Sequence, residues 1–303
     1  MRAFGSLSLL IFVLLLTGSG CVSPSRPQAS STLRIAATIY PIGLIAERVG
    51  GEYVSVTTMI PPGAEPHDFE PTARELSAAY DANLFVYNGG GIDSWASKVA
   101  EGVGDGGPSV LCMSDVMQDF LPPVEEDDAF DEHFWADPNL MITETEAIRD
   151  AIIRLDPSHE VEFRSNADIF LQELRNLDQE YREGLASCET RIAVTSHAAF
   201  GYLAKRYDFE QRPIMGLSPE AEPSAGELAA LAETARASGV KYIFFETLAS
   251  PKLSQTLANE IGAQTLVFNP VEGLTSEELE AGEDYLSVMR QNLTNLRTAM
   301  LCR

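Results

Sequence analysis

From Thr32 onward the chain alternates between two hydrophobic periods. Apolar stretches of strand length, LRIAATIY, VSVTTMI and LFVYNG, are separated by IGLIAERVG and TARELSAAYD, whose apolar residues recur at helical spacing. That alternation predicts α/β architecture with parallel sheets. TETEAIRDAIIRLD continues as an amphipathic helix. The segment after it, PSHEVEFRSNADIFLQELRNLDQEYREGLA, opens on Pro157 and carries Phe163, Ile169, Phe170, Leu174, Leu177 and Tyr181 at helical spacing. At about 1.5 Å per residue it runs on the order of 40 Å, far enough to cross two units. A second series follows: TRIAVTS, VKYIFFET and AQTLVFN as strands, and AAFGYLAKRYD, GELAALAETARASG, SQTLANEIG and EDYLSVMRQNLTNLRTAM as helices. The pattern predicts two α/β lobes, over 33–156 and 188–303, joined by one long backbone helix over 157–187.

The beginning of the chain follows neither period. Arg2, an apolar run from Leu7 to Leu16 and the small residues TGSGC read as a secretory signal over 1–20, with Cys21 as an acylated first residue and 21–32 as a lipid-anchored tether. Gly18 stands where the usual lipobox has leucine, so ordinary cleavage nearby is the alternative. Either way the product is exported, periplasmic or at the cell surface. About 280 residues then remain, more than one core usually fills and suited to two compact units. With 45 acidic against 21 basic side chains and a net charge of −24, nucleic acid and anionic lipid are poor partners. The same charge serves solubility or attracts cations. There is no CxxC, which disfavours a cysteine zinc site. Of the three pairings open to Cys112, Cys188 and Cys302, Cys188 with Cys302 would clamp the end of the last helix and leave Cys112 free.

The candidate chemistry lies in histidine. His67 sits in PPGAEPHDFEP, a loop stiffened by prolines; His133 sits in DEHFWADP; His197 ends the strand TRIAVTS. Ligands of open parallel sheets bind beyond the carboxyl ends of the strands, so loops from both lobes can converge there on a cleft. His159, at the start of the long helix beside Glu160, is expected to face solvent. Three imidazoles without a thiolate favour zinc over manganese or calcium, although copper and nickel also bind such a set. Three histidines with a water is also the arrangement of a hydrolytic zinc enzyme, but no HExxH, GxSxG or P-loop supplies a base or nucleophile. A scaffold with a purely structural metal is a third possibility.

GAEPHDFEPTARELSAAYDANLFVYNGGGIDSW, HFWADP, PSHEVEFRSNADIF, VTSHAAFGYLAKRYDF and GLSPEAEPSAGEL together resemble the metal-binding solute proteins of ABC importers, the zinc and manganese group called cluster A-I. The resemblance runs from Leu33 to the end. It implies two four-stranded lobes linked by a rigid helix, a metal between them, modest lobe motion and delivery to a separate permease and ATPase by a monomeric, non-enzymatic receptor. Carried over by position, His67 matches the histidine of the PH.(Y/F)EP motif, His133 that of H.W.DP, and His197 the third ligand. That third ligand is histidine in zinc-preferring members and commonly glutamate in manganese-preferring ones, so the resemblance implies Zn2+ ahead of Mn2+. At the fourth position, where members often carry aspartate in an LDPL-like segment, FNPVEGL supplies Asn269. An uncharged amide is a weaker ligand, which leaves Asn269, water or a carboxylate such as Glu65 to complete the site. In place of a histidine-rich loop the chain has EEDDAFDEH, whose acids over 125–132 either concentrate cations or form a solvated loop. Asp137 either orients His133 or caps the turn before Pro138. Glu222 and Glu246 read as fold or surface positions.

Overall fold

Each sheet is built of short strands, the central ones buried, with a helix between successive strands, so every link is a crossover and every pairing parallel. The computed structural model describes residues 32–121, 130–219 and 223–303. The leader, Cys21, the tether before Thr32, Glu125, Glu126, Asp127, Asp128 and Glu222 lie outside the described residues.

The first lobe runs β1 (Leu33–Ala37), α1 (Tyr40–Gly50), β2 (Val54–Thr58), α2 (Ala73–Asp81), β3 (Leu84–Tyr87), α3 (Ala96–Gly102), β4 (Ser109–Cys112), α4 (Met113–Gln118) and α5 (Pro138–Leu155). The long α6 (Glu160–Gly184) leads to the second lobe: β5 (Ile192–Thr195), α7 (Gly201–Tyr207), β6 (Glu210–Pro213), α8 (Ala225–Ala237), β7 (Tyr242–Phe245), α9 (Lys252–Ile261), β8 (Gln264–Val267), α10 (Ser276–Glu280) and α11 (Tyr285–Ala299). The sheet orders are β2-β1-β3-β4 and β6-β5-β7-β8. Both sheets therefore reverse direction beside their first strand, which opens a crevice at the carboxyl ends.

Two strands escape the hydrophobic pattern. β4 and β6 are both edge strands of four residues, and all of their residues are exposed or half-buried, so they lack the long buried run that identifies a central strand. β6 even ends on Pro213, whose missing N–H costs nothing at a sheet edge.

The linking helix has 25 residues. Its buried stripe is Phe163, Ala167, Phe170, Leu174, Leu177 and Tyr181, packed on α1 and α5 of the first lobe and α11 of the second. Ile169 departs from the expected stripe. It lies about 100° around the helix from Phe170 and is 58% exposed. His159 also departs from expectation: it belongs to a 3-10 turn over Pro157–His159, donates from Nδ1 to Asp156 Oδ2 at 2.6 Å, and stacks on Tyr53 with centroids 4.0 Å apart. Its ring is held between elements and is half-buried. One continuous core spans both lobes and the helix, from Ile35 and Trp135 through Phe170 to Phe268 and Leu293.

The chain end is pinned by Cys188–Cys302, with Cys112 free, and the two bonded residues also form an antiparallel bridge. The link closes a separation of 114 residues, a long loop for the unfolded chain to lose. Replacing both cysteines with serine is expected to lower stability by about 2–5 kcal/mol, read as a fall in the midpoint of denaturant unfolding at unchanged slope.

Candidate metal centre

Each candidate histidine sits on a loop or short turn whose backbone is tied down locally. His67 lies in a 3-10 turn (Pro66–Asp68) that Glu65 caps by accepting from Asp68 N at 3.1 Å. His133 opens another, Phe134–Ala136, with Ala136 N donating to His133 O at 3.2 Å. The loop after β3 holds the preceding residue: Gly91 N donates to Glu132 Oε1 at 3.0 Å and Asn88 Nδ2 to Glu132 O at 3.1 Å. His197 stands two residues past β5, and its carbonyl accepts from Thr195 Oγ1 at 2.8 Å and Gln211 Nε2 at 2.9 Å.

The three imidazoles meet. His133 Nε2 is 3.4 Å from His67 Nε2 and 3.4 Å from His197 Nε2. A fourth group joins them. Glu272 Oε1 lies 3.1 Å from His197 Nε2, 3.4 Å from His133 Nε2 and 3.8 Å from His67 Nε2. The corners of a tetrahedron around an ion bonded at about 2.0–2.1 Å are about 3.3–3.4 Å apart, so these edges are close to those of a four-coordinate site. The set is dry: His133 and His197 are fully buried, and Glu272 is 3% exposed.

Asn269 is not brought to this point, and the reason is saturation. Its Nδ2 donates to Thr247 Oγ1 at 2.8 Å and Glu278 Oε1 at 3.2 Å, and its Oδ1 accepts from Val271 N at 2.8 Å. Its backbone N–H and C=O are both taken by the Asn292 side chain. Both polar atoms of its side chain are thus engaged away from the four-group cluster. Asn269 instead shapes the turn in which Val271 takes φ 60, a costly conformation for a β-branched residue, and that turn presents Glu272. The alternative carboxylate, Glu65, is engaged as a cap and stands outside the four-group cluster. Its own carboxyl is pushed up to about 7 by burial and then by the nearby Glu272. The carboxylate that joins the cluster, not expected from the sequence, lies three residues downstream of Asn269 in the same FNPVEGL. A carboxylate directly before a glycine in a strand-end loop was the available signal.

Of the two roles open to Asp137, the structure shows the cap: it accepts from Asn139 N at 2.9 Å at the start of α5 and pairs with Arg206. Asp131 is the orienting group, accepting from His133 Nδ1 at 2.9 Å. Glu246 is neither a surface residue nor a passive fold position. It is 5% exposed and accepts from His197 Nδ1 at 2.7 Å and His197 N at 3.1 Å. Donation from Nδ1 leaves the Nε2 lone pairs of His133 and His197 facing the centre, which is how carboxylates set the tautomer of metal-binding histidines. Asp131 and Glu132 thus belong to the wall of the site and not to a solvated acidic loop.

A family model described as zinc-uptake complex component A, periplasmic, matches residues 35–299. The chain belongs to that family. Among relatives of the zinc-uptake component A family, the high-affinity zinc uptake system protein ZnuA of Bacillus subtilis is 36% identical over 298 residues, covering 94% of this chain and 93% of that one. The zinc-binding lipoprotein AdcA of Streptococcus pneumoniae is 37% identical over 285 residues, and the chain spans 57% of its length. The crystal structure of the Zn(II)-bound ZnuA-like domain of that AdcA superposes with a TM-score of 0.76 at 37% identity, covering 89% of this chain and 99% of that one.

In a family of metal receptors, the charge state of the free cluster sets how readily an ion is taken up. Burial opposes a charge on His133, but Asp131 and Glu272 outweigh it and raise the imidazole to about 9. His197 is raised too, where Glu246 and Glu272 overcome the same burial. Burial would raise the Glu272 carboxyl, yet the three histidines hold it well below the usual range. The free cluster thus carries protons at neutral pH, and a divalent cation must displace them. Affinity is expected to climb as pH rises toward about 9, by about tenfold per pH unit for each proton displaced, and to fall as pH drops. Calorimetry in two buffers of different ionisation enthalpy checks this: uptake near neutral pH should release at least one proton.

Proposed function

We propose that the chain is an extracytoplasmic zinc receptor that holds one Zn2+ with His67, His133, His197 and Glu272 and delivers it to an ABC importer. The observation carrying this reading is the closed tetrahedron of three imidazole nitrogens and one carboxylate oxygen contributed by loops of both lobes. Three borderline nitrogen donors favour zinc, whereas manganese prefers oxygen-rich octahedra. Zinc is also the ion in the names of the relatives. Glu272 Oε1 is buried with the three histidine Nε2 atoms as its near polar neighbours, an arrangement that a shared cation would satisfy.

The same geometry argues against a catalyst. Catalytic zinc keeps a coordination position for water or substrate, and four protein groups at tetrahedral spacing leave none. The partners of the family's reaction are a permease and an ATPase, expected here as separate subunits. Acylation at Cys21 would tether the receptor to the membrane, and a monomer suffices because all four ligands come from one chain.

Alanine at His67, His133, His197 or Glu272 is expected to weaken zinc binding by more than the ~10- to 100-fold typical of losing an outer partner. His159→Ala should leave affinity unchanged, since that ring packs against Tyr53 away from the cluster. Competition titration of the chelator-stripped protein against a zinc indicator reads both; wild-type affinity in Glu272→Ala would reject the four-ligand site.

A further inference from the structure

The four groups are sealed from solvent, so an ion needs a way in. A cavity of about 200 Å3 between the lobes has Glu272 on its inner wall and the exposed Glu47 of α1 on another. We propose that this cavity is the path by which zinc reaches and leaves the cluster, with Glu47 as its first contact. The inference rests on the zinc-receptor reading of the four residues.

Three observations support the route. First, the cavity is lined by an exposed glutamate and a buried one, and no lysine or arginine is among the described residues that line it. Two acids between apolar walls, formed in part by Leu44, Ile60, Leu274 and Leu279, focus their field along the passage and attract a divalent cation. Second, its volume has room for several waters at about 30 Å3 each, so the ion can shed its shell in stages before meeting the imidazoles. Third, a neighbouring approach is closed by backbone. Gly63 N donates to Leu274 O at 2.9 Å, lacing the loop that carries His67 to the loop that carries Glu272. At Gly273 a Cβ would stand 3.2 Å from Leu248 Cδ1, so Leu248 packs closely against that loop.

Glu47 lies outside the coordinating set and Leu279 is 40% exposed, so both can be changed with little effect on folding or on the ligands. The test mixes the metal-stripped full chain with Zn2+ by stopped flow, using a zinc indicator for association and an excess of chelator for release. Leu279→Trp, which fills the cavity, is expected to slow association and release together by about tenfold, leaving the dissociation constant within about twofold. Glu47→Gln should slow association by about threefold and weaken its dependence on ionic strength. Wild-type rates in both variants, with wild-type dissociation constants and melting temperatures, would overturn the path while leaving the zinc site intact. A wild-type chain that takes up no zinc would instead overturn the receptor reading, and the path with it.

Discussion

Four lone-pair donors that repel one another are held within 4.8 Å of each other in a buried crevice between two lobes. Three Nε2 atoms and a carboxylate oxygen at this spacing are stable only around positive charge, whether protons or a metal ion. Most features near the cleft serve to keep them there. Asp131 and Glu246 turn two imidazoles inward, and Asn269 Oδ1 accepts from Val271 N in the turn that delivers Glu272.

The lobes themselves are fixed by buried polar contacts across the cleft. Trp135, two residues after His133, donates from Nε1 to Pro270 O at 2.8 Å, and its carbonyl accepts from Tyr285 Oη at 2.7 Å. These bonds link the segment bearing His133 to the segment bearing Glu272 through groups that would be costly to leave unpaired. The long α6, buried along one stripe against both lobes, resists hinge bending. A preorganised site of this kind binds tightly because little order is lost on binding. Release then depends on exchanging the ion for protons and on the path by which it leaves.

Much of this could be read in the chain. The alternating periods predicted two lobes and a linking helix, and the strand-end positions of His67, His133 and His197 predicted that they share a point in space. The unread parts have specific causes. β4 and β6 are edge strands without a long buried run. Ile169 has the composition of the α6 stripe but the wrong angle. Asn269 occupies the position that a family pattern assigns to a ligand, yet its neighbours Thr247, Val271, Glu278 and Asn292 consume its polar atoms. Glu246 looked like any strand-end acid until His197 was found beside it.

What the sequence by itself determined was the periodicity of the elements and the chemical type of the ligands, because both follow from residue identity and local spacing. Which carboxylate completes the cluster, and which acids stand behind the imidazoles, only the tertiary structure decided. Those assignments depend on separations of 49 residues between His197 and Glu246 and on a strained backbone at Val271. A side chain's direction and the saturation of its hydrogen bonds are set by partners far along the chain, and no local pattern encodes them.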